Sequence, residues 1–123
     1  MRVYRVEDLS GWGPYRSLAT PSYVSDILYE QYSMGRASHP TPINDGIPDR
    51  ADPQHYRFGF ASMRSLLQWF PIQAREALHR AHFTIGVYEV VYTDVFVGVH
   101  QVCFRASTAS KQGMCPIWKR RGK

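Results

Sequence analysis

The feature that most limits the fold of this 123-residue chain is a run of β-prone residues from Phe83 to Arg105. Valine and aromatic residues dominate the run, and Thr93-Asp94 and Gly98 divide it into short segments. This pattern predicts a meander of short antiparallel strands. The following residues 106–113 lack an apolar pattern and predict a loop.

The residues before this run predict helices and two short strands. Alternation over Val3–Val6 indicates an early strand, and Thr20-Pro21 is typical of the start of a helix, which we expect over 21–33. Residues 56–60 indicate another strand, in which Gly59 marks a close backbone approach or a bulge.

Two further helical segments follow that strand. Ser62 is positioned to cap the first, and Pro71 ends it and begins a second, which continues to Leu78. Because the helices lie between early strands and a late meander, we predict an α+β fold with two or three short helices packed on one face of a mostly antiparallel sheet.

The length and the apolar content predict one globular domain over residues 1–118, followed by a basic tail at 119–123. At 44% hydrophobic residues, the composition excludes a disordered chain. No apolar stretch approaches the roughly 18–20 residues that a membrane helix needs. The first eight residues carry charges where a signal peptide would be apolar, so we expect a cytosolic protein.

The formal net charge of +5 is concentrated at the carboxyl end. Residues 1–104 hold nine basic and ten acidic side chains, whereas Lys119, Arg120, Arg121 and Lys123 supply four of the five net charges. A nucleic-acid groove would instead distribute basic residues over a folded surface. The tail is either a solvated terminus or a weak, non-specific attachment to a polyanion.

A long proline-rich segment, residues 36–55, interrupts the pattern of regular elements. Loops of this length in compact domains are usually functional or disordered, and prolines favour order. The segment is either a partner-binding loop or a structural crossing in which Asp residues cap backbone N–H groups. Its candidate partner-binding residues are Arg36, His39, Asn44, Asp45, Arg50 and His55.

A glycine-rich loop after the first strand is a second candidate contact surface. It contains Trp12, Tyr15 and Arg16, which can stack on a ligand or partner. The alternative is a β-turn in which Trp12 packs against the edge of the core.

A carboxylate, Glu89, lies on an otherwise apolar strand, where it needs a partner. It is either paired with Arg5 or Arg57 in an internal salt bridge or used for catalysis or ligand binding. The spacing of the histidines and of Cys103 and Cys115 fits no metal site, so we expect no metal.

Seven short segments, which together cover roughly residues 5–105, form a recognisable set: Tyr4-Arg5-Val6-Glu7, Gly13-Pro14-Tyr15, His39-Pro40, Phe58–Ser62, Leu67–Phe70, Tyr88–Val90 and Gly98–Val102. In these segments the chain resembles small phage and prophage proteins. The resemblance implies a protein of the host bacterial cytosol that binds and disables a host protein or ribonucleoprotein complex, such as a CRISPR-type defence system.

A second set of residues is similar to the ADP-ribosyltransferase fold. Arg5, the Phe60-Ala61-Ser62 step and Gln101 stand where that family has its Arg, Ser and Glu motifs. The resemblance implies NAD as a cofactor and Arg5, Ser62 and either Glu89 or Gln101 as catalytic residues. An amide at Gln101 departs from the family, because it cannot supply the negative charge that stabilises an oxocarbenium ion.

Two functions therefore follow from the sequence. The first is a phage-type binding protein that inhibits a host complex and needs no cofactor. The alternative is an NAD-binding enzyme that modifies a host protein.

Overall fold

The computed structural model describes residues 1–14, 21–34, 45–48 and 55–118. Three helices and six strands form in these segments, together with 3₁₀ turns at Tyr92–Asp94 and Ala106–Thr108. The elements are β1 (Arg2–Glu7), α1 (Ser22–Met34), β2 (Tyr56–Gly59), α2 (Met63–Trp69), α3 (Ile72–Arg80), β3 (Thr84–Glu89), β4 (Val95–Val97), β5 (Val102–Arg105) and β6 (Ser110–Pro116).

The strands form two antiparallel sheets of three strands each, so the predicted α+β class is confirmed. The first sheet has the order β1-β3-β6 and the second the order β2-β5-β4. An antiparallel bridge between Tyr4 and Phe60 joins the two sheets where β1 meets the end of β2. Gly59 allows this approach, since a Cβ there would lie 2.6 Å from Cγ1 of Val3 and 2.8 Å from the carbonyl oxygen of Tyr4.

The helix α2 begins at its predicted cap, whereas α3 continues two residues beyond the predicted Leu78, to Arg80. Oγ of Ser62 accepts a hydrogen bond from the N–H of Ser65 at 3.1 Å, which caps α2 as predicted. After α3, His82 adopts a left-handed φ of +68°, and the N–H of Phe83 bonds to the carbonyl of Leu78 at 2.9 Å. That combination is a Schellman ending, with His82 where glycine is most common.

The main core lies between the first sheet and the helices. It contains Val6 and Ile85 from the sheet and Leu28, Leu66 and Leu78 from the helices, all buried. A smaller cluster of Val3, Val90, Val102 and Phe104 fills the space between the sheets, and Cys103 is fully buried beside Ile47. No helix in the described ranges is long and apolar enough to cross a bilayer.

The prediction for residues 106–113 is wrong, because this segment contains a 3₁₀ turn and most of β6 rather than a loop. β6 pairs with β3 along its length and is exposed over residues 110–114. A strand exposed on both faces carries no apolar alternation, so its sequence lacks the usual signal. The strands also divide between two sheets, where we expected one.

Candidate functional site

A buried carboxylate, Glu7, forms the centre of a charged cluster on the first sheet. The hydroxyl of Tyr88 donates to Oε1 at 2.7 Å and to Oε2 at 2.9 Å, and Nζ of Lys111 lies 2.6 Å from Oε2. Nε of Arg5 lies 3.3 Å from Oε1. Two cations and a phenol therefore surround one carboxylate, which satisfies a charge that could not otherwise be buried.

Strand register brings these four residues together. Glu7 and Arg5 project from the same face of β1, where Arg5 stands opposite Gly86 of β3. Tyr88 is two residues further along β3, and Lys111 stands opposite Tyr88 on β6. A Cβ at position 86 would lie 2.6 Å from Oε2 of Glu7, so only glycine leaves space for the carboxylate to cross the sheet.

Burial changes the acid–base behaviour of the groups around Glu7. Removal from water lowers the pKa of Arg5, and the nearby Glu7 carboxylate opposes this change without cancelling it. Burial also raises the pKa of Tyr88, and the hydrogen bond to Glu7 raises it further. Tyr88 therefore remains a protonated donor to Glu7 well above neutral pH.

Arg5 connects the cluster to the loop that follows β1. Its two terminal nitrogens donate to the carbonyl of Phe58 at 2.8 Å and to that of Gly11 at 3.2 Å. The guanidinium thus joins three parts of the chain: the carboxylate on its own strand, the neighbouring sheet and the loop.

That loop, Asp8–Gly13, is named the Trp12 loop below. Oδ1 of Asp8 accepts hydrogen bonds from the N–H groups of Ser10 at 2.9 Å and Trp12 at 3.0 Å. Its backbone also bonds to the carbonyl oxygen of Trp12 at 2.9 Å and to the N–H of Gly11 at 3.0 Å. The indole of Trp12 remains 49% exposed, with the guanidinium of Arg57 5.8 Å from its ring centre.

A second buried carboxylate, Asp45, fixes the turn between β4 and β5. It accepts hydrogen bonds from the backbone N–H groups of His100 and Gln101, both at 2.9 Å, and lies 2.8 Å from Nδ1 of His100. Its carbonyl oxygen accepts from the N–H of Val99 at 2.9 Å. A residue distant in sequence thereby holds this turn in one conformation.

The four candidate catalytic residues have separate structural roles, and no hydrogen bond or ion pair joins any two of them. Arg5 holds the Trp12 loop and Ser62 caps α2. Gln101 is buried, with its backbone N–H on Asp45. Glu89 is exposed and accepts a hydrogen bond from the α-amino group of Met1 at 2.8 Å, which lowers its pKa.

Of the two alternatives for Glu89, the internal salt bridge with Arg5 or Arg57 is wrong, because Glu89 is exposed and its ionic partner is the α-amino group of Met1. Glu89 stands opposite Arg2 at the end of β1, whereas Arg5 stands opposite Gly86, so the register separates the two side chains. The buried partner of Arg5 is Glu7 instead.

The candidate partner-binding residues have different outcomes. Trp12 is exposed rather than packed against the edge of the core, and His55 is exposed immediately before β2. Asp45 is buried and fully engaged within the chain, as in the structural alternative for the proline-rich segment. The basic tail lies outside the described residues. So do the remaining candidates, which are Tyr15, Arg16, Arg36, His39, Asn44 and Arg50.

Sequence reasoning missed the roles of Tyr88 and Lys111. Lys111 lies in the segment predicted as a loop, and its partner Glu7 is 104 residues away. The one local signal is the acidic Glu7 two residues after Arg5 on an inward-facing strand. In the part of the chain that the structure describes, no group of three His, Cys, Asp or Glu side chains could hold a metal ion.

Comparison with known proteins places the chain among phage proteins, as the sequence resemblance implied. A family model described as "Bacteriophage T4 Y00F protein" matches residues 1–118. A protein of Enterobacteria phage T4, "Uncharacterized 19.7 kDa protein in motB-dexA intergenic region", is 43% identical over 62 residues, which is 50% of this chain and 37% of that protein. The match therefore covers little more than a third of that relative's length. No solved structure matches this chain. The chain belongs to the Bacteriophage T4 Y00F protein family.

Proposed function

We propose that this phage protein binds and inhibits a host protein complex, such as a CRISPR-type defence system, through the Trp12 loop. The observation that carries the proposal is the exposed indole of Trp12 on a loop fixed by Asp8 and Arg5. Membership of a phage family supports a host cell as the place where the partner is met.

The physical argument concerns the entropy of binding. Tryptophan is among the residues that most often dominate binding energy at protein interfaces. A loop that is already ordered loses little conformational freedom when a partner binds, which leaves more of the contact energy for affinity. The Arg5–Glu7 pair supports this order from inside the fold, because Arg5 donates to the carbonyl of Gly11.

The chemistry around Trp12 also indicates the kind of surface that it fits. An indole needs an apolar pocket, and the guanidinium of Arg57, 5.8 Å from the ring centre, places a positive charge beside it. A complementary host surface is therefore an apolar pocket with acidic side chains at its rim.

The experiment is affinity capture of host proteins by the tagged full chain, followed by measurement of the affinity for the captured protein. Trp12→Ala should weaken binding at least 30-fold, which corresponds to loss of about 2 kcal/mol. Tyr23→Ala is the matched control, since Tyr23 is also an aromatic residue, is 46% exposed, and lies on α1. Inhibition is read as recovery of phage plating on a host with an active defence system.

Capture at about 1 M salt separates this contact from attraction by the basic tail, since the Debye length is then only about 3 Å. Equal affinity of the Trp12→Ala and Tyr23→Ala variants would contradict the Trp12 contact. Recovery of plating by neither wild type nor variant, despite binding, would contradict inhibition of a defence system. An increase in melting temperature with millimolar NAD would instead favour the enzyme alternative.

A further inference from the structure

The outer edges of the two sheets differ in how they are protected against pairing with another strand. β6 carries the charge of Lys111, a bulge between Val87 and Tyr88 of its neighbour, and Pro116 at its end. Charges, bulges and prolines are the devices that keep an edge strand from pairing with other chains. β4 has the sequence Val95-Phe96-Val97 and contains none of these features.

The hydrogen-bond pattern of β4 shows which backbone groups point away from its sheet. The N–H of Gly98 bonds to the carbonyl of Gln101 at 2.8 Å. Because bonded and non-bonded pairs alternate in an antiparallel ladder, Phe96 directs its backbone groups toward Cys103 of β5. The N–H and C=O groups of Val95 and Val97 are consequently directed outward. β4 ends its sheet in the described part of the chain.

Apolar side chains surround this edge. Val97 is 59% exposed and Val99 is 83% exposed, and Val91 and Tyr92 before the strand are also exposed. Asp45 holds the adjoining turn rigid through the backbone of Val99 and the two residues after it. The edge is therefore both apolar and ordered before any partner arrives.

We propose that β4 pairs in antiparallel fashion with β4 of a second copy of this chain, around a two-fold axis at Phe96. The strand sequence is symmetric about Phe96, so each Val95 faces Val97 of the second copy. The outward N–H and C=O groups belong to Val95 and Val97, so both Val95–Val97 pairs form hydrogen bonds between the two copies. The result is a continuous six-stranded sheet, β2-β5-β4-β4-β5-β2.

Charge and symmetry favour a second copy over an unrelated strand. The three residues that pair, Val95–Val97, carry no charge, so no like charges face each other along the two strands. A contact of one patch with itself is the arrangement of two-fold dimers. The paired strands are only three residues long, so we expect a weak dimer whose fraction rises with protein concentration. It does not involve the Trp12 loop.

The test is sedimentation velocity of the full chain over a hundredfold range of concentration. We expect a shift from monomer to dimer in the wild type, and monomer throughout for Val97→Lys, which places a charge beside Val95 of the second copy. Met114→Lys is the matched control, because Met114 is 56% exposed on the other sheet edge, and it should dimerise like the wild type. Circular dichroism and melting temperature establish that each variant folds.

Three results would overturn the proposal: a wild type that stays monomeric at every concentration, a Val97→Lys variant that dimerises as the wild type does, or a dimer lost only in Met114→Lys. If Val97→Lys does not fold, Val99→Lys repeats the test at the more exposed turn, where the same loss of dimer is expected. Loss of host-protein capture in Trp12→Ala with the dimer intact distinguishes this surface from the Trp12 contact.

Discussion

Replacing Glu7 with glutamine tests whether the buried cluster stabilises the fold. The substitution keeps the shape of the side chain but removes the charge that balances Arg5 and Lys111. Removing one partner of a buried ion pair typically costs about 3–5 kcal/mol. We expect about 3 kcal/mol, the lower end of that range, because the hydroxyl of Tyr88 can still donate to the amide oxygen.

The two cations should contribute unequally to this loss. Arg5 is buried and bonded to the carbonyls of Phe58 and Gly11, so it cannot turn toward water. The side chain of Lys111 is 38% exposed and can turn away. Lys111→Gln should therefore cost less than about 1 kcal/mol, as for a surface ion pair.

The measurement is the free energy of unfolding from urea titration at pH 7 for wild type, Glu7→Gln, Lys111→Gln and the double variant. In the double variant the loss should be smaller than the sum of the single losses. Once Glu7 is replaced, Lys111 has no carboxylate to bind, so replacing Lys111 as well costs little more. If Glu7→Gln loses no more than Lys111→Gln, the assignment of most of the stabilisation to the buried Arg5–Glu7 contact is wrong.

Three further predictions concern the backbone and the phenol. Gly59→Ala should lower the free energy of unfolding by about 3 kcal/mol, because its Cβ would enter the space held by Val3, and urea titration measures the loss. His82→Gly should raise it by about 0.5–1 kcal/mol by relieving a left-handed conformation, whereas His82→Ala, which keeps the Cβ, should give no gain in melting temperature. Burial raises the pKa of Tyr88 above its value of about 10 in the unfolded chain. The contribution of Tyr88 to stability is therefore complete below this unfolded pKa and is lost as the pH rises through the folded pKa. The free energy of unfolding of the wild type should accordingly fall more steeply above about pH 10 than that of Tyr88→Phe.

The sequence predicts those parts of the fold whose signals are local. The strand at Val3–Val6, the cap at Ser62 and the close approach at Gly59 each follow from a few neighbouring residues, and the structure confirms them. β6 carries no such signal, because polar residues exposed on both faces become a strand only through pairing with β3. Its strand state is therefore a tertiary effect rather than a local preference.

The candidate site is harder to predict because its contacts join distant parts of the chain. Glu7 is bound by Tyr88, 81 residues away, and by Lys111, 104 residues away. Asp45 is bound by His100, 55 residues away. Strand register decides these pairings, and a shift of one residue would turn each side chain to the opposite face of its sheet.

The two buried carboxylates share one physical role, which explains why charges are retained where apolar residues would pack with less penalty. A hydrophobic side chain at Glu7 or Asp45 could fill the space but could not bind backbone N–H groups or hold an arginine against a loop carbonyl. Each carboxylate instead orders a segment that exposes apolar side chains: Trp12 in one case, through Arg5, and Val99 in the other. Loss of either charge should therefore disorder its loop before it disrupts the core. Amide hydrogen exchange of Glu7→Gln can detect this order of events, since the N–H of Trp12 should lose protection at denaturant concentrations where the N–H of Ile85 keeps it.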